Sequence, residues 1–228
     1  MTRAMRRVPY LAVVLLLGCS KKSAPPPPDP APKEAPTIAA ALVAPIATPA
    51  PVPEKPAEPA SLKGKKVLHV GDSMVGGNWG LTRALEAKLE PEGATIVRHT
   101  KVSETLASMD KDPTFKDLLH RHEPDIVIIT LGTNDTDVPY PETYAKHVAN
   151  IAKRVGKREC WWIGPPKAAP VNKVISENSA QCKFFDSSGL TLDRAKDGIH
   201  PSDKGGGQWA NAFWTAFRAP PSPIDPKQ

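Results

Sequence analysis

The chain has 228 residues, a formal net charge of +6, 27 prolines and 6% aromatic residues. That length accommodates one domain of ordinary size with additional segments and excludes two full-sized hydrophobic cores. The charge does not indicate nucleic-acid binding, because residues 63–219 hold 22 Lys and Arg against 19 Asp and Glu, and their longest basic run is "KGKK" at 63–66.

The first segment, "MTRAMRRVPYLAVVLLLGCS", places three arginines before a short apolar run that ends in Gly18 and Cys19. A bilayer core needs roughly 20 apolar residues, so the pattern predicts a secretory signal peptide over 1–18 rather than a transmembrane helix. "LLGC" also resembles the lipobox of bacterial lipoproteins, which implies that Cys19 is lipidated and becomes the mature N-terminus. The alternative is a plain signal peptide with an incidental cysteine.

Residues 19–61 are rich in Pro and Ala and almost free of aromatic residues. They cannot bury enough apolar surface to offset the entropy of ordering, which predicts a disordered, partly extended tether of at most about 130 Å. We therefore expect a lipid-anchored protein of the cell envelope, with a domain at 62–219 and a disordered tail at 220–228. Ser20, in place of Asp after the cysteine, favours an outer membrane address facing the periplasm in a Gram-negative source.

Short apolar runs alternate with helix-like stretches through the domain. The predicted strands cover 66–70, 95–99, 125–131, 160–164 and 183–186. The predicted helices cover 80–90, 114–122, 141–155 and 206–218. Strands separated by helices form right-handed crossovers, which predicts the α/β class: a three-layer α/β/α sandwich with about five parallel strands, whose order stays open.

Two cysteines remain in the domain, Cys160 and Cys182, each just before an apolar strand-like run, "WWIG" and "KFFD". If those strands are parallel neighbours, both thiols lie at the same edge of the sheet. Exported proteins meet oxidising conditions, which favours a disulfide between them. Two buried free thiols are the alternative.

Three loops at the carboxyl ends of predicted strands, where such sheets bind ligands, carry side chains that acyl transfer requires. Ser73 follows the first strand in "VGDSM", and a serine becomes nucleophilic when a base takes its proton. "DGIHP" supplies His200 as the base, with Asp197 three residues earlier to orient the imidazole. Asn134, in "LGTND", offers an amide donor for a developing oxyanion.

These blocks resemble those of the SGNH (GDSL) hydrolase superfamily over roughly residues 65–218. "VGDSM" matches the nucleophile block, "LGTND" the block with the oxyanion asparagine, and "DGIHPSDKGGGQWANAF" the block with aspartate and histidine. The resemblance implies a flavodoxin-like sandwich, a triad of Ser73, Asp197 and His200, and an oxyanion hole that includes Ser73 and Asn134. It also implies that no metal and no organic cofactor takes part.

Two positions depart from the family pattern. Met74 replaces the usual leucine, which is a volume-conserving change. The block that normally supplies a glycine amide to the oxyanion hole reads "KVSETLAS", which places Ser103 at that position. Its N–H remains able to donate, but glycine is often required for unusual backbone angles. Asn78 and Trp79 closely follow the nucleophile and are candidates for the pocket that holds the acyl group or a sugar.

The sequence thus predicts an extracytoplasmic serine esterase that hydrolyses acyl esters on an envelope carbohydrate through an acyl-serine intermediate. The short domain leaves no room for a large lid, which favours acetyl groups on an O-acetylated polysaccharide or peptidoglycan. The alternatives are an O-acyltransferase with the same triad, a lysophospholipase or thioesterase, and a non-catalytic envelope-binding module. The expected partners are the ester-bearing substrate and, through the N-terminal lipid, the membrane, with no nucleic acid.

Overall fold

The structure, a computed structural model, describes residues 59–220. The predicted signal peptide, the lipidation site at Cys19, all but the last residues of the predicted tether, and residues 221–228 lie outside the described residues. The predicted domain boundaries therefore stay predictions. None of the helices in residues 59–220 combines the length and the apolar character that crossing a membrane requires.

Five parallel strands of the described chain form a single sheet. They are β1 (Lys66–Gly71), β2 (Thr95–Thr100), β3 (Ile126–Thr130), β4 (Glu159–Ile163) and β5 (Lys183–Phe185). Their order is β2-β1-β3-β4-β5, which confirms the predicted flavodoxin-like α/β class and settles the order that the sequence left open. The chain runs from β1 outward to β2 and then crosses back to β3. The direction in which successive strands are added to the sheet therefore reverses between β1 and β3.

Within residues 59–220, six α-helices cover the two faces of the sheet. They are α1 (Gly80–Leu89), α2 (Leu106–Lys111), α3 (Thr114–His122), α4 (Ala145–Val155), α5 (Ala169–Asn178) and α6 (Asp203–Phe217). Helices α1 and α6 pack on one face, and α2 to α5 contribute to the core on the other. Trp161 and Trp162, adjacent on β4, point into opposite cores. This alternation is what a strand covered on both sides requires.

Two helices were not expected from the sequence, and a third begins earlier than expected. Helix α2 has only six residues and starts with a capping box between Thr105 and Ser108. Helix α5 begins within a run that is rich in proline, with Pro170 in its first turn. Helix α6 begins at Asp203 because the Ser202 side chain accepts a hydrogen bond from the Gly205 N–H and caps it.

The predicted helix at 141–155 divides into two elements. Its first four residues form a 3-10 turn (Pro141–Tyr144), and α4 begins only at Ala145. The apolar side chains Val148, Ile151 and Val155 of α4 are fully buried, as their helical spacing predicts.

Cys160 and Cys182 form a disulfide, with Cα atoms 4.4 Å apart. Strands β4 and β5 are parallel neighbours, and Trp161 pairs with Lys183 in the register. The two cysteines immediately precede these paired residues, so both lie at the amino ends of their strands. The bond ties β4 to β5 at the end of the sheet opposite to the carboxyl ends.

Candidate active site

The nucleophile candidate, Ser73, begins a 3-10 turn (Ser73–Val75) that follows β1 directly. Gly71 lets the chain leave the strand, because its φ is +151° and a Cβ there would lie 1.8 Å from the Thr130 carbonyl oxygen. Asp72 then caps the turn, since its Oδ1 accepts the Met74 N–H at 2.8 Å. The Ser73 side chain is half-buried at the carboxyl end of the sheet.

The structure brings Ser73, His200 and Asp197 together, although Ser73 and His200 are 127 residues apart in the chain. The Ser73 Oγ lies 2.9 Å from His200 Nε2, and His200 Nδ1 lies 2.7 Å from Asp197 Oδ2. Because the carboxylate accepts the Nδ1–H, the Nε2 lone pair faces the serine hydroxyl and can accept its proton.

A tight turn holds Asp197 and His200 in this relation. Gly198 adopts a φ of +70°, and Asp197 Oδ1 accepts the backbone N–H groups of Ile199 and His200 at 2.8 and 2.9 Å. The hydrogen bond from the His200 side chain, followed by these backbone donors, lowers the pKa of Asp197 to about 2. The carboxylate therefore stays ionised at neutral pH and orients the imidazole.

Asn134 lies in a 3-10 turn (Thr133–Asp135) after β3, so it approaches from the strand next to β1. Its Nδ2 donates to the Glu104 carbonyl oxygen at 2.8 Å, which leaves its second N–H for another acceptor. The Thr133 N–H donates to Asp72 Oδ2 at 3.2 Å. The Asp72 carboxylate thus ties the turn that carries Asn134 to the turn that carries the nucleophile.

Ser103 adopts the backbone conformation that usually selects glycine. Its φ is +59°, and the Glu104 N–H donates to the Lys101 carbonyl oxygen at 3.1 Å. Ser103 therefore occupies the third position of a four-residue turn, where type II turns require a positive φ. The loop keeps this shape without glycine. Within the described part of the chain, neither the Ser103 N–H nor the Ser73 N–H donates to a protein acceptor.

Asp72 is a functional candidate that the sequence reasoning missed. The residue is fully buried, and burial raises the pKa of its carboxyl group to about 6. An Asp before the serine at a strand-to-helix turn occupies a typical capping position, and this pattern could have identified Asp72. The partner on Thr133, sixty-one residues further along, was not visible in the sequence.

The two candidates for the substrate pocket have different surroundings. The indole ring of Trp79 meets the His200 ring edge-on, with centroids 5.8 Å apart, and 39% of the residue is exposed. The Asn78 Oδ1 accepts a hydrogen bond of 2.7 Å from Arg98 on β2. Trp79 therefore borders the triad, whereas the side chain of Asn78 is held by Arg98.

The group as a whole offers a serine, a base with an orienting carboxylate, and N–H groups at Ser73 and Ser103 that donate to no protein acceptor within residues 59–220. These are the parts that nucleophilic attack on a carbonyl and stabilisation of the resulting oxyanion require. No group of His, Cys, Asp and Glu side chains among residues 59–220 is arranged to hold a metal ion.

The chain matches the family model described as "Protein of unknown function (DUF459)" over residues 66–183, a span that includes Ser73 and Asn134. No curated protein sequence matches the chain significantly.

Several solved structures are similar to it. TesA is 22% identical, with a TM-score of 0.57 and coverage of 68% of this chain and 98% of TesA. A lipase/acylhydrolase from Enterococcus faecalis is 18% identical, with a TM-score of 0.56 and coverage of 68% and 95%. A catalytic mutant of Axe2, an acetylxylan esterase from Geobacillus stearothermophilus, is 19% identical, with a TM-score of 0.53 and coverage of 69% and 95%.

The structural similarities concern the fold, and the family model covers half of the chain. The chain therefore belongs to the DUF459 family and has the fold of the SGNH/GDSL hydrolases that its sequence resembles.

Proposed function

We propose that this protein is an extracytoplasmic serine esterase that removes acyl groups, chiefly acetyl groups, from an envelope carbohydrate. The observation that carries the proposal is the hydrogen-bonded series Ser73–His200–Asp197 at the carboxyl end of the sheet. Ser73 follows β1, next to the point where the strand order reverses between β1 and β3, and ligands usually bind at this point in such folds.

The reaction follows from the positions of the three side chains. His200 Nε2 takes the proton of Ser73 as Oγ attacks the ester carbonyl, and Asp197 stabilises the imidazolium. The N–H groups of Ser73 and Ser103 and the amide of Asn134 hold the oxyanion. His200 then returns the proton to the leaving alcohol. In the second half, water attacks the acyl-serine with His200 as the base, the acyl–Oγ bond breaks, and His200 returns the proton to Ser73 Oγ as the acid leaves.

Two observations support a carbohydrate ester as substrate. An acetylxylan esterase is among the similar structures. Trp79 also presents a partly exposed indole beside His200, and an aromatic ring of this kind offers an apolar face with a polar edge. A sugar that carries the ester would lie against this ring while its acyl group reaches Ser73.

The proposed location outside the cytoplasm rests on the signal sequence, on Cys19 and on the disulfide. The Cys160–Cys182 bond supports it because disulfides persist in oxidising compartments and are rare in the cytosol. The lipid anchor at Cys19 and the tether over 19–61 are proposed from the sequence alone.

The activity is tested with purified full-length protein in detergent and p-nitrophenyl acetate and butyrate. We expect hydrolysis, faster on the acetate, and a loss on the order of a thousandfold or more in Ser73→Ala, because the nucleophile is removed. Ser176→Ala is the matched control, since Ser176 is exposed on α5 and its hydroxyl donates to the Lys173 carbonyl oxygen of the same helix.

Two outcomes contradict the proposal: a wild-type protein without hydrolysis, or activity that survives Ser73→Ala. A sugar acceptor added to the same assay separates esterase from O-acyltransferase. Transfer of the acetyl group to the sugar in preference to water would replace the esterase by the transferase while keeping the same triad.

A further inference from the structure

A buried histidine beneath the nucleophile turn has no part in the reaction as described. His69 lies on β1 and is fully buried. Its Nε2 is 2.9 Å from Thr130 Oγ1, and its Nδ1 is 2.8 Å from Thr82 Oγ1. The Thr82 hydroxyl in turn donates to the Val75 carbonyl oxygen at 2.6 Å. Val75 is the last residue of the turn that begins with Ser73.

The protons in this series have one consistent arrangement. Thr82 has a single hydroxyl proton and gives it to Val75, so its oxygen must accept the Nδ1–H of His69. The Nε2 of His69 then carries a lone pair and accepts the hydroxyl proton of Thr130. The imidazole is neutral in this arrangement, and burial lowers the pKa of His69 to about 3, so it stays neutral under assay conditions.

The hydrogen bonds from His69 to Thr82 and from Thr82 to Val75 hold the last carbonyl of the nucleophile turn, to which the Asp72 side chain makes no hydrogen bond. Asp72 holds the start of the turn through the Met74 N–H, and Thr82 holds its last carbonyl. Thr82 belongs to the first turn of α1, and the His69 Nδ1–H donates to the same hydroxyl that holds the Val75 carbonyl. Ser73 therefore lies in a turn that is clamped at both ends.

We propose that His69 and Thr82 are positioning residues that keep the Ser73 Oγ within reach of His200. The inference rests on the proposed function, since it assigns the two residues to the reactivity of Ser73. A shift of about 1 Å in a reacting atom is enough to cost on the order of a hundredfold in rate. The loss of this clamp should therefore slow the attack by Ser73 and leave substrate binding unchanged.

The chain offers a matched pair of variants. Thr82→Val and Thr130→Val each delete one hydroxyl that contacts His69 and keep the side-chain shape, but only the Thr82 hydroxyl also bonds the nucleophile turn. The Thr130 backbone carbonyl accepts the N–H of Asp72, which caps that turn, and both variants keep this contact. The test uses full-length protein and two readouts. The first is kcat and KM for p-nitrophenyl acetate. The second is the rate at which a small alkyl fluorophosphonate forms a phosphorus–oxygen bond at Ser73 and releases fluoride.

We expect Thr82→Val to lower both kcat and the fluorophosphonate rate by about tenfold to a hundredfold with KM unchanged. Thr130→Val should stay within about threefold of wild type in both rates, although it also loses a buried hydrogen bond and thermal stability. Thr82→Ser, which keeps the hydroxyl, should restore most of the rate.

A second pair tests His69 itself and decides the matter if Thr82→Val does not fold. In His69→Asn the side-chain amide comes near the former Nδ1 and can still donate to Thr82, whereas in His69→Gln it reaches toward Thr130. The asparagine variant should therefore retain clearly more of the fluorophosphonate rate than the glutamine variant, with circular dichroism confirming that both are folded.

Equal losses in Thr82→Val and Thr130→Val, or wild-type rates in both, would overturn the positioning role and leave the esterase proposal intact. A wild-type protein that neither hydrolyses the ester nor reacts with the fluorophosphonate would overturn the proposed function and this inference with it.

Discussion

His69 and Asp72 lie three residues apart on the chain at the end of β1, and burial shifts their pKa values in opposite directions. The unfolded chain binds a proton at His69 below about pH 6.5 and the folded protein only near pH 3, so this residue costs stability as the pH falls. Asp72 keeps its proton up to about pH 6 when folded, against 3.8 in its reference state, so it costs stability as the pH rises. The two contributions offset each other between about pH 4 and pH 6.

Replacing His69 by Asn removes one side of this balance. The quantity to compare is the free energy of unfolding of the wild type minus that of His69→Asn. This difference should increase by about 1.4 kcal/mol per pH unit between pH 4 and 6, because the unfolded wild type binds a proton at His69 that the folded wild type does not bind. Urea unfolding at pH 4, 5 and 6, followed by circular dichroism, measures it. Parallel pH profiles for the two proteins would show that His69 is not held neutral by the fold.

Some residues of the site could be predicted from the sequence and others could not. The positions of Ser73, Asp197 and His200 were predictable because each follows an apolar strand or closes a short spacing. His69 carries no such signal, and Asp72 carries only that of a capping position. Their roles depend on partners at Thr82, Thr130 and Thr133, which are distant in the chain or lie in other elements and become neighbours only in the folded sheet.

At the scale of elements, the strands were predictable because each is a short run with apolar residues, and β1, β3 and β4 are buried on both faces. Helix α5 was missed, although Val171, Val174 and Ile175 have helical spacing and are buried. The prolines before and within its first turn resembled those of a loop. Helix α2 was missed because six residues are too few for a periodic pattern. Neither helix alters the order of the strands, so the fold class was still predictable.

The turn Lys101–Glu104 gives a sharp test of one oxyanion donor. Ser103→Gly and Ser103→Ala keep the backbone N–H and should keep kcat for p-nitrophenyl acetate within about threefold of wild type. Ser103→Pro removes that N–H and restricts φ to about −65°, away from the observed +59°. Its kcat should fall on the order of a hundredfold or more. A proline variant that is folded and fully active would remove Ser103 from the oxyanion hole.

At the scale of the molecule, the two ends of the sheet serve different purposes. The candidate site lies at the carboxyl ends of the strands. The described chain enters at the opposite end, where Leu62 is buried and Arg218, just after α6, donates to the Ala60 carbonyl oxygen at 2.7 Å. The disulfide also ties β4 and β5 at that end. The first described residues therefore lie at the end of the sheet opposite to the candidate site.

The proposed anchor is tested by substituting its cysteine. In cells that express the full-length chain, Cys19→Ala should move the protein from the membrane fraction to the soluble fraction and abolish labelling by a fatty acid analogue, because the thiol that carries the lipid is gone. Ser20→Ala keeps the thiol and serves as the control. Membrane association that persists in Cys19→Ala would contradict the anchor.

If Ser73 is the nucleophile, it carries the acyl group between the two half-reactions, and mass spectrometry of the trapped protein can detect that group. Wild-type protein mixed with p-nitrophenyl acetate and quenched in acid within the first turnover should carry one acetyl group, located on the peptide that contains Ser73. Ser73→Ala should carry none. Ester hydrolysis by wild-type protein with the acetyl group on another residue, or undiminished hydrolysis in Ser73→Ala, would show that Ser73 is not the nucleophile.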